Sequence, residues 1–229
     1  MRKTIPVIVV MVLAACALGG QETSRSTART SSQTALLHPE SLRDLAPEVF
    51  RVRFITTKGE FVTEVTRAWA PRGAGRFYNL VKYHFYDRSA FFRVLAGFVA
   101  QFGISPEPEI SRAWEKATLT DDARRQSNVR GTLSFATAGP NTRTTQVFIN
   151  VQDNTSLDEM GFAPFARIVS GMDVVGKLYS DYGDAPPDGH GPDQNLIQRL
   201  GKAYLEKDFP LLDTIRSTEI LPSAPPPGR

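Results

Sequence analysis

The chain has 229 residues, of which 41% are hydrophobic, 27 are basic and 24 are acidic, so its formal net charge is +3. This length and apolar content allow a sizeable core and exclude a chain that is disordered throughout. Nearly balanced charge without a basic tract excludes the surface of a nucleic-acid-binding protein, and the single cysteine excludes an internal disulfide.

The first residues have the pattern of an export signal. Two basic residues, Arg2 and Lys3, precede an apolar stretch that is too short to cross a bilayer comfortably. This stretch ends in Leu-Ala-Ala-Cys at residues 13–16, which resembles the lipobox of bacterial lipoproteins, whose cysteine is lipidated and becomes the first mature residue. We therefore predict a lipoprotein signal peptide at residues 1–15 and lipidation of Cys16. An ordinary signal peptide with an incidental cysteine is the alternative.

This signal predicts an extracytoplasmic protein that is anchored to a lipid membrane through Cys16. In a two-membrane bacterium the protein would face the periplasm, and Ala17 after the lipidated cysteine is compatible with sorting to the outer membrane. Without Arg2 and Lys3 the mature chain would have 25 basic and 24 acidic side chains, so it would be almost neutral.

Two segments that flank the central part lack the pattern of a folded core. Residues 16–47 are rich in Ser, Thr, Gln and Arg and are predicted to form a flexible tether, with a short helix over residues 39–45. Residues 222–229 form a Pro-rich tail, because repeated prolines remove backbone donors. The folded domain is therefore expected to span residues 48–221.

The domain begins with a predicted β-hairpin and a helix. Apolar and polar side chains alternate over residues 50–54 and 61–65, and a Lys58-Gly59 turn separates the two runs. After Pro71 the residues that fall at helical spacing predict a helix packed on one end of the sheet: Phe77, Leu80, Val81 and His84.

Arg93 lies inside an almost wholly apolar run, FFRVLAGFVAQFG at residues 91–103. A guanidinium among large apolar side chains is costly unless it is paired or faces a wet cleft. Alternate side chains of an extended segment share a face, so Arg93, Val99 and Gln101 are predicted to lie together. This face would offer cationic donors, an apolar floor and an amide. Such a set is suited to binding a peptide carbonyl that lies beside a hydrophobic ring. A purely structural salt bridge of Arg93 is the alternative.

A second block, GTLSFATAGPNT at residues 131–142, is followed by QVFIN at residues 146–150. In the latter strand the aliphatic Val147 and Ile149 share one face and are expected in the core, which leaves Phe148 as an aromatic ring on the polar face. An ordinary core position is the alternative for Phe148.

Further elements complete a mainly β chain. Strands are predicted over residues 133–136, 162–169 and 214–221, and helices over residues 172–178 and 195–204. The loop at residues 181–190 is predicted to be a solvated insertion, because its acidic residues lack the spacing of a calcium loop. Three scattered histidines predict no metal site.

These two blocks together closely resemble the signature of the cyclophilins, the peptidyl-prolyl cis-trans isomerases. The first block contains Phe-x-Arg, followed by Gly-Phe and by a Gln before a glycine. The resemblance covers roughly residues 50–220 and fits a bacterial branch best. It implies a closed, eight-stranded antiparallel barrel capped by two helices, with an extra helix near the C-terminus. It also implies catalysis at X-Pro bonds without a cofactor.

The resemblance also implies roles for individual residues. Arg93 matches the catalytic arginine and Gln101 the amide that bonds the substrate backbone. Gly97 would supply the bend that brings Phe98 to the same site. The family's remaining substrate contacts fall at Phe98, Val99, Ala136, Thr137, Ala138, Phe148, Leu157 and Phe162.

We therefore expect a monomeric isomerase that assists the folding of exported proteins by binding their flexible, proline-containing segments. The alternative is a binding module or chaperone that recognises proline segments and in which catalysis has little relevance. A purely structural lipoprotein would leave Arg93 and Phe148 without a purpose.

Overall fold

A computed structural model describes residues 32–222. Eight strands are present: β1 (Val49–Thr56), β2 (Gly59–Thr66), β3 (Arg93–Val94), β4 (Val99–Phe102), β5 (Thr132–Phe135), β6 (Val147–Asn150), β7 (Ala166–Ser170) and β8 (Ile215–Leu221). The α-helices include α1 (Pro71–Lys82), α2 (Pro108–Trp114), α3 (Ser156–Glu159), α4 (Met172–Val175), α5 (Gln194–Leu200) and α6 (Lys202–Asp208).

The strands form one curled antiparallel sheet in the order β3-β4-β6-β5-β7-β2-β1-β8. The prediction of a closed barrel is wrong, because within residues 32–222 no ladder joins the two edge strands, β3 and β8. β3 has only two residues, which is too short to extend a ladder along β8. The two edges meet where the segment before β3 runs beside the start of β8: Ala90 bridges Thr214, and the Ile215 amide donates to the Ser89 carbonyl at 2.8 Å.

The core lies on the concave side of the sheet and follows the predicted alternation. Along β1 and β2 every second side chain is buried, and the Phe54 and Phe61 rings stack at 4.6 Å. Each phenylalanine or valine of this buried set contributes about 1.5–3 kcal/mol when it is fully removed from water. α1 buries Phe77, Leu80 and Val81 as predicted. His84 lies beyond the end of α1, at a φ of 62°, and its side chain is half exposed.

The smaller helices differ from their predicted bounds. The helix predicted over residues 172–178 is the four-residue α4, near β2. The extra helix predicted over residues 195–204 is divided into α5 and α6 at Gly201. Gly201 has a φ of 61° and passes so close to the Pro106 carbonyl that a side chain would collide with it. This close passage requires glycine and therefore ends α5.

The predicted tether is wrong for residues 32–47, which pack against the domain. Leu36 and Ala46 are buried in the main core, and the Trp114 indole donates to the Leu36 carbonyl at 2.9 Å. Asp44 forms an ion pair with Lys82 at 3.0 Å. The small, polar side chains of this segment give no sign in the sequence that it packs against the domain. A few buried residues and backbone hydrogen bonds suffice to hold it there.

Other predictions fall on residues that lie outside the described part. These are the signal peptide at residues 1–15, Cys16 with the first half of the tether, and residues 223–229 of the tail. Between residues 32 and 222, no helix combines the length and the apolar character needed to cross a membrane.

Candidate active site

One cavity, with a volume of about 710 Å³, brings together all the residues that the sequence analysis selected in the folded domain. Its wall contains the following ten: Arg93, Phe98, Val99, Gln101, Ala136, Thr137, Ala138, Phe148, Leu157 and Phe162. We call this space the Arg93 cavity. A concave site of this size that combines apolar rings with a few polar groups is typical of a ligand-binding pocket.

Strand register explains how one wall of the Arg93 cavity is assembled. Arg93 on β3 lies opposite Gln101 on β4, and Gln101 lies opposite Phe148 on β6. Residues that face each other across adjacent strands present their side chains on the same side of the sheet. A cation, an amide and an aromatic ring therefore form one row across three strands. We call Arg93, Val99, Gln101 and Phe148 the strand wall.

The apolar floor of the cavity is separate from the main core. Val99, Phe148 and Leu157 form their own buried cluster, whereas Val147 and Ile149 belong to the core on the other face. The predicted division of this strand into a core face and a site face is therefore confirmed.

Phe162 completes this floor. It lies before β7, whose first residue is Ala166, so the predicted start of this strand at residue 162 was too early. The Phe148 and Phe162 rings meet edge to face at 5.3 Å. This arrangement of aromatic rings is a favourable one.

Phe98 reaches the cavity because the chain turns before β4. Gly97 has a φ of 70°, and the Phe98 amide donates to the Leu95 carbonyl at 3.0 Å. The predicted bend at Gly97 is confirmed. A residue with a side chain would be strained at this φ, which explains the glycine.

Three asparagines hold the backbone behind the floor. The Asn128 side chain, which is fully buried, donates to the Phe162 carbonyl at 3.0 Å and to Asp158 at 2.8 Å. The Asn154 side chain donates to the Phe98 carbonyl at 2.9 Å and to the Asn150 side chain at 2.8 Å. The sequence analysis missed this support, because its members come from separate segments and have no spacing in common.

Hydrogen bonds orient the polar groups of the strand wall. Arg93 Nη1 donates to Gln101 Oε1 at 3.3 Å, and Gln101 Nε2 donates to Gln146 Oε1 at 2.8 Å. The amide of Gln101 is thereby held with its oxygen towards the guanidinium. Next to this row, residues 136–138 form an edge after β5, where the Ala138 amide donates to Thr142 Oγ1 at 3.0 Å.

Another part of the cavity lining comes from segments after α4. Asp184, Gln194 and Gln198 lie there, and we call these three residues the loop wall. Asp184 Oδ2 accepts a hydrogen bond from Arg93 Nε at 2.8 Å and forms an ion pair with Arg93 Nη2 at 2.7 Å. The hydrogen bond from Arg93, opposed by partial burial, holds the pKa of the Asp184 carboxyl below its ordinary value.

The Asp184 contact changes two interpretations of the sequence. The loop at residues 181–190 is not simply a solvated insertion, since it supplies a carboxylate to the cavity. Arg93 does form a salt bridge, as the structural alternative required, but 22% of its side chain is exposed and it also lines the cavity. No local signal could have connected residues 93 and 184, which are distant in sequence.

The geometry agrees with comparisons to known proteins. A family model described as cyclophilin type peptidyl-prolyl cis-trans isomerase/CLD matches residues 51–197. A peptidyl-prolyl cis-trans isomerase of Acinetobacter baylyi is 33% identical over 150 residues, which cover 63% of this chain and 78% of that protein. Peptidyl-prolyl cis-trans isomerase B of Escherichia coli is 36% identical over 136 residues, which cover 56% and 82%.

Solved structures support the fold. The crystal structure of a Cryptosporidium parvum cyclophilin type peptidyl-prolyl cis-trans isomerase matches with a TM-score of 0.57 and 21% identity, over 77% of this chain and 99% of that chain. At this identity the match indicates the fold alone. Because the family model spans more than half of the chain and the bacterial relatives are matched over most of their length, this chain belongs to the cyclophilin-type peptidyl-prolyl cis-trans isomerases and is an isomerase.

Proposed function

We propose that the Arg93 cavity is the catalytic site and that it takes an extended X-Pro segment with the proline ring on the floor formed by Val99, Phe148 and Leu157. The observation that supports this proposal is the row of Arg93, Gln101 and Phe148 across three strands. The row sets hydrogen-bond donors directly beside a buried aromatic ring. A proline-containing peptide offers the matching pair, a carbonyl-rich backbone and an apolar ring.

The proposed catalysis requires only differential binding. Rotation about the X-Pro bond breaks amide conjugation at a cost of ~18–20 kcal/mol, and electron density then localises on the imide nitrogen. Arg93 donates a charge-assisted hydrogen bond to this nitrogen or its carbonyl, and this bond is strongest when the imide is twisted. No covalent intermediate is needed.

Gln101 and residues 136–138 would hold the rest of the peptide. The Gln101 amide lies beside Arg93 and bonds the substrate backbone, while the small side chains of Ala136 and Ala138 let an extended peptide approach the main chain. Thr137 lies between them, and its hydroxyl is already engaged by Thr142 at 3.0 Å. We expect contacts along this edge to be made mainly by the backbone.

The test of the catalytic site is a proline-peptide isomerisation assay on purified protein. Arg93→Ala removes the donor, and we expect kcat/KM to fall about 10²-fold, as when an oriented transition-state donor is lost. Arg53→Ala is the matched control, since Arg53 lies on β1 with its partly exposed guanidinium near surface acids. An Arg93→Ala protein with unchanged kcat/KM would exclude Arg93 as the catalytic group.

We further propose that the protein acts on exported proteins as a lipoprotein. The support is the sequence of residues 1–16, with its basic start, apolar stretch and terminal Leu-Ala-Ala-Cys. Cys16→Ala should then abolish labelling by a fatty-acid analogue and release the protein from membranes. Unaltered labelling and fractionation of this variant would rule out lipidation at Cys16.

A second candidate role is binding of proline segments without required turnover, and it is favoured by the buried apolar cluster of Val99, Phe148 and Leu157 in the cavity. Arg93→Ala and the cavity-filling Phe148→Trp separate the two roles. If isomerisation is the required function, Arg93→Ala is sufficient by itself to reproduce the phenotype of a gene deletion. If binding is the required function, only Phe148→Trp does so.

A further inference from the structure

Arg93 is held by an acidic group that the strands do not supply. Asp184 contacts two nitrogens of the guanidinium through a single oxygen, with distances of 2.8 Å to Nε and 2.7 Å to Nη2. Arg93 and Asp184 are both partly exposed, with 22% and 28% of their side chains accessible. The pair therefore lies at the cavity surface, where it can affect how Arg93 meets a substrate.

The loop that carries Asp184 is fixed to the domain. Gly183 forms a β-bridge with Val94, the neighbour of Arg93, and the Gly191 amide donates to the Asp184 carbonyl at 2.7 Å. The second carboxylate oxygen, Oδ1, accepts from the Ala185 amide at 2.8 Å. A side chain at position 191 would stand only 2.9 Å from the Asp184 carbonyl oxygen, so the glycine permits this close packing.

The contact leaves part of the guanidinium available. An arginine has five N–H donors in a rigid fork. Asp184 engages the edge formed by Nε and Nη2, whereas Nη1 points to Gln101 Oε1 at 3.3 Å. The guanidinium is thus held from the loop side by Asp184 and from the strand side by Gln101. The long Arg93 side chain, which would otherwise sample many rotamers, is therefore ordered before substrate arrives.

On this basis, and resting on the proposed function of Arg93, we propose that Asp184 is a positioning residue for the isomerisation. Its carboxylate keeps the guanidinium in the orientation that meets the twisted imide, so its loss should lower kcat more than it raises KM. If the carboxylate instead kept Arg93 away from the substrate, its removal would free Arg93 and raise activity. The hydrogen bonds that fix both Asp184 oxygens and its backbone favour positioning.

The experiment compares Asp184→Ala, Asp184→Asn and Asp188→Ala in the full folded protein. We expect Asp184→Ala to lower kcat about tenfold, with KM changed less than about twofold. Asp184→Asn should retain more activity than Asp184→Ala, because its amide oxygen can still accept from Arg93. Asp188→Ala removes the same charge from an exposed site in the same loop and should leave kcat unchanged.

A double-mutant cycle tests whether Asp184 acts through Arg93. In an Arg93→Ala background, Asp184→Ala should have no further effect on kcat. An unchanged or raised kcat in Asp184→Ala, or an equal fractional loss in the Arg93→Ala background, would overturn the positioning role. If Asp184→Ala fails to fold, the same cycle with Asp184→Asn decides the question. Wild-type kcat/KM in Arg93→Ala would instead contradict the proposed function itself.

Discussion

The two walls of the Arg93 cavity are built by different physical means. Ladder hydrogen bonds place the strand wall, so that Arg93, Gln101 and Phe148 follow from the register of β3, β4 and β6. Turns and a short helix place the loop wall, where Asp193 caps α5 by accepting from the Asn195 amide at 2.7 Å. A regular ladder puts side chains on a face by alternation, whereas a loop can aim any residue type at a site.

Loss of the Phe148 ring should have the largest effect, because it belongs to the strand wall and to the buried floor. We expect Phe148→Ala to lower the free energy of unfolding by about 3–5 kcal/mol and to raise KM for proline peptides. Urea denaturation and the isomerisation assay measure these changes. Ile149→Val, one residue along but facing the core, should cost about 1 kcal/mol without a change in KM. An unaltered KM in folded Phe148→Ala would show that the strand wall does not bind the proline ring of the substrate.

Removal of the Asn128 side chain should have the next largest effect. Asn128→Ala leaves the Phe162 carbonyl and the side-chain amide of Asn150 without one of their hydrogen-bond partners. An unsatisfied buried polar group costs about 1–3 kcal/mol, and the free energy of unfolding should fall by this amount. The control Asn195→Ala, at an exposed position of α5, should change it by less than about 0.5 kcal/mol. Equal effects of the two substitutions would contradict a supporting role of Asn128.

Acid should weaken the support behind the apolar floor through Asp158, which accepts from Asn128. Burial raises the pKa of this carboxyl, but hydrogen bonds from Ser127 and Asn128 outweigh burial, so the pKa lies below its ordinary value of 3.8. A carboxyl whose pKa is lowered by folding stabilises the fold above pH 3.8 and loses this contribution as pH falls through the lowered pKa. Asp158→Asn should therefore destabilise the protein at neutral pH, and the difference from wild type should shrink below pH 3.8. Thermal melts across this range measure the effect, and a constant difference would contradict it.

The smallest effect is expected at the loop wall away from Arg93. Gln198 lines the cavity but lies outside the row of strand residues. Gln198→Ala should leave kcat unchanged and raise KM at most about fivefold, the value of one neutral hydrogen bond to a peptide. Its neighbour Arg199 faces solvent, and Arg199→Ala is the matched control. A fall in kcat for Gln198→Ala as large as that for Arg93→Ala would remove the distinction between the two walls.

Strand alternation made much of the fold and the strand wall of the site predictable. Phe148 could be assigned to the cavity because the aliphatic Val147 and Ile149 occupy the opposite face of the strand, towards the core. The structure separates Phe148 from these two residues in the same way. Closure of the barrel could not be predicted, because it depends on the length of β3, and Arg93 and Val94 alone make up that strand. The packing of Leu36 could not be predicted from the sequence for another reason. Its segment has a polar composition, and its burial depends on Trp114, far along the chain.

The amino-acid sequence contains, in its alternation and its two motif blocks, enough to specify the family, the hairpin and the strand wall. These features are local, since a period of two residues assigns each side chain to a face before any long-range contact forms. Folding adds what depends on distant contacts: the open edge between β3 and β8, the docked segment at residues 32–47 and the asparagine support. It also adds Asp184 beside Arg93, because only the path of the loop brings that carboxylate to the guanidinium.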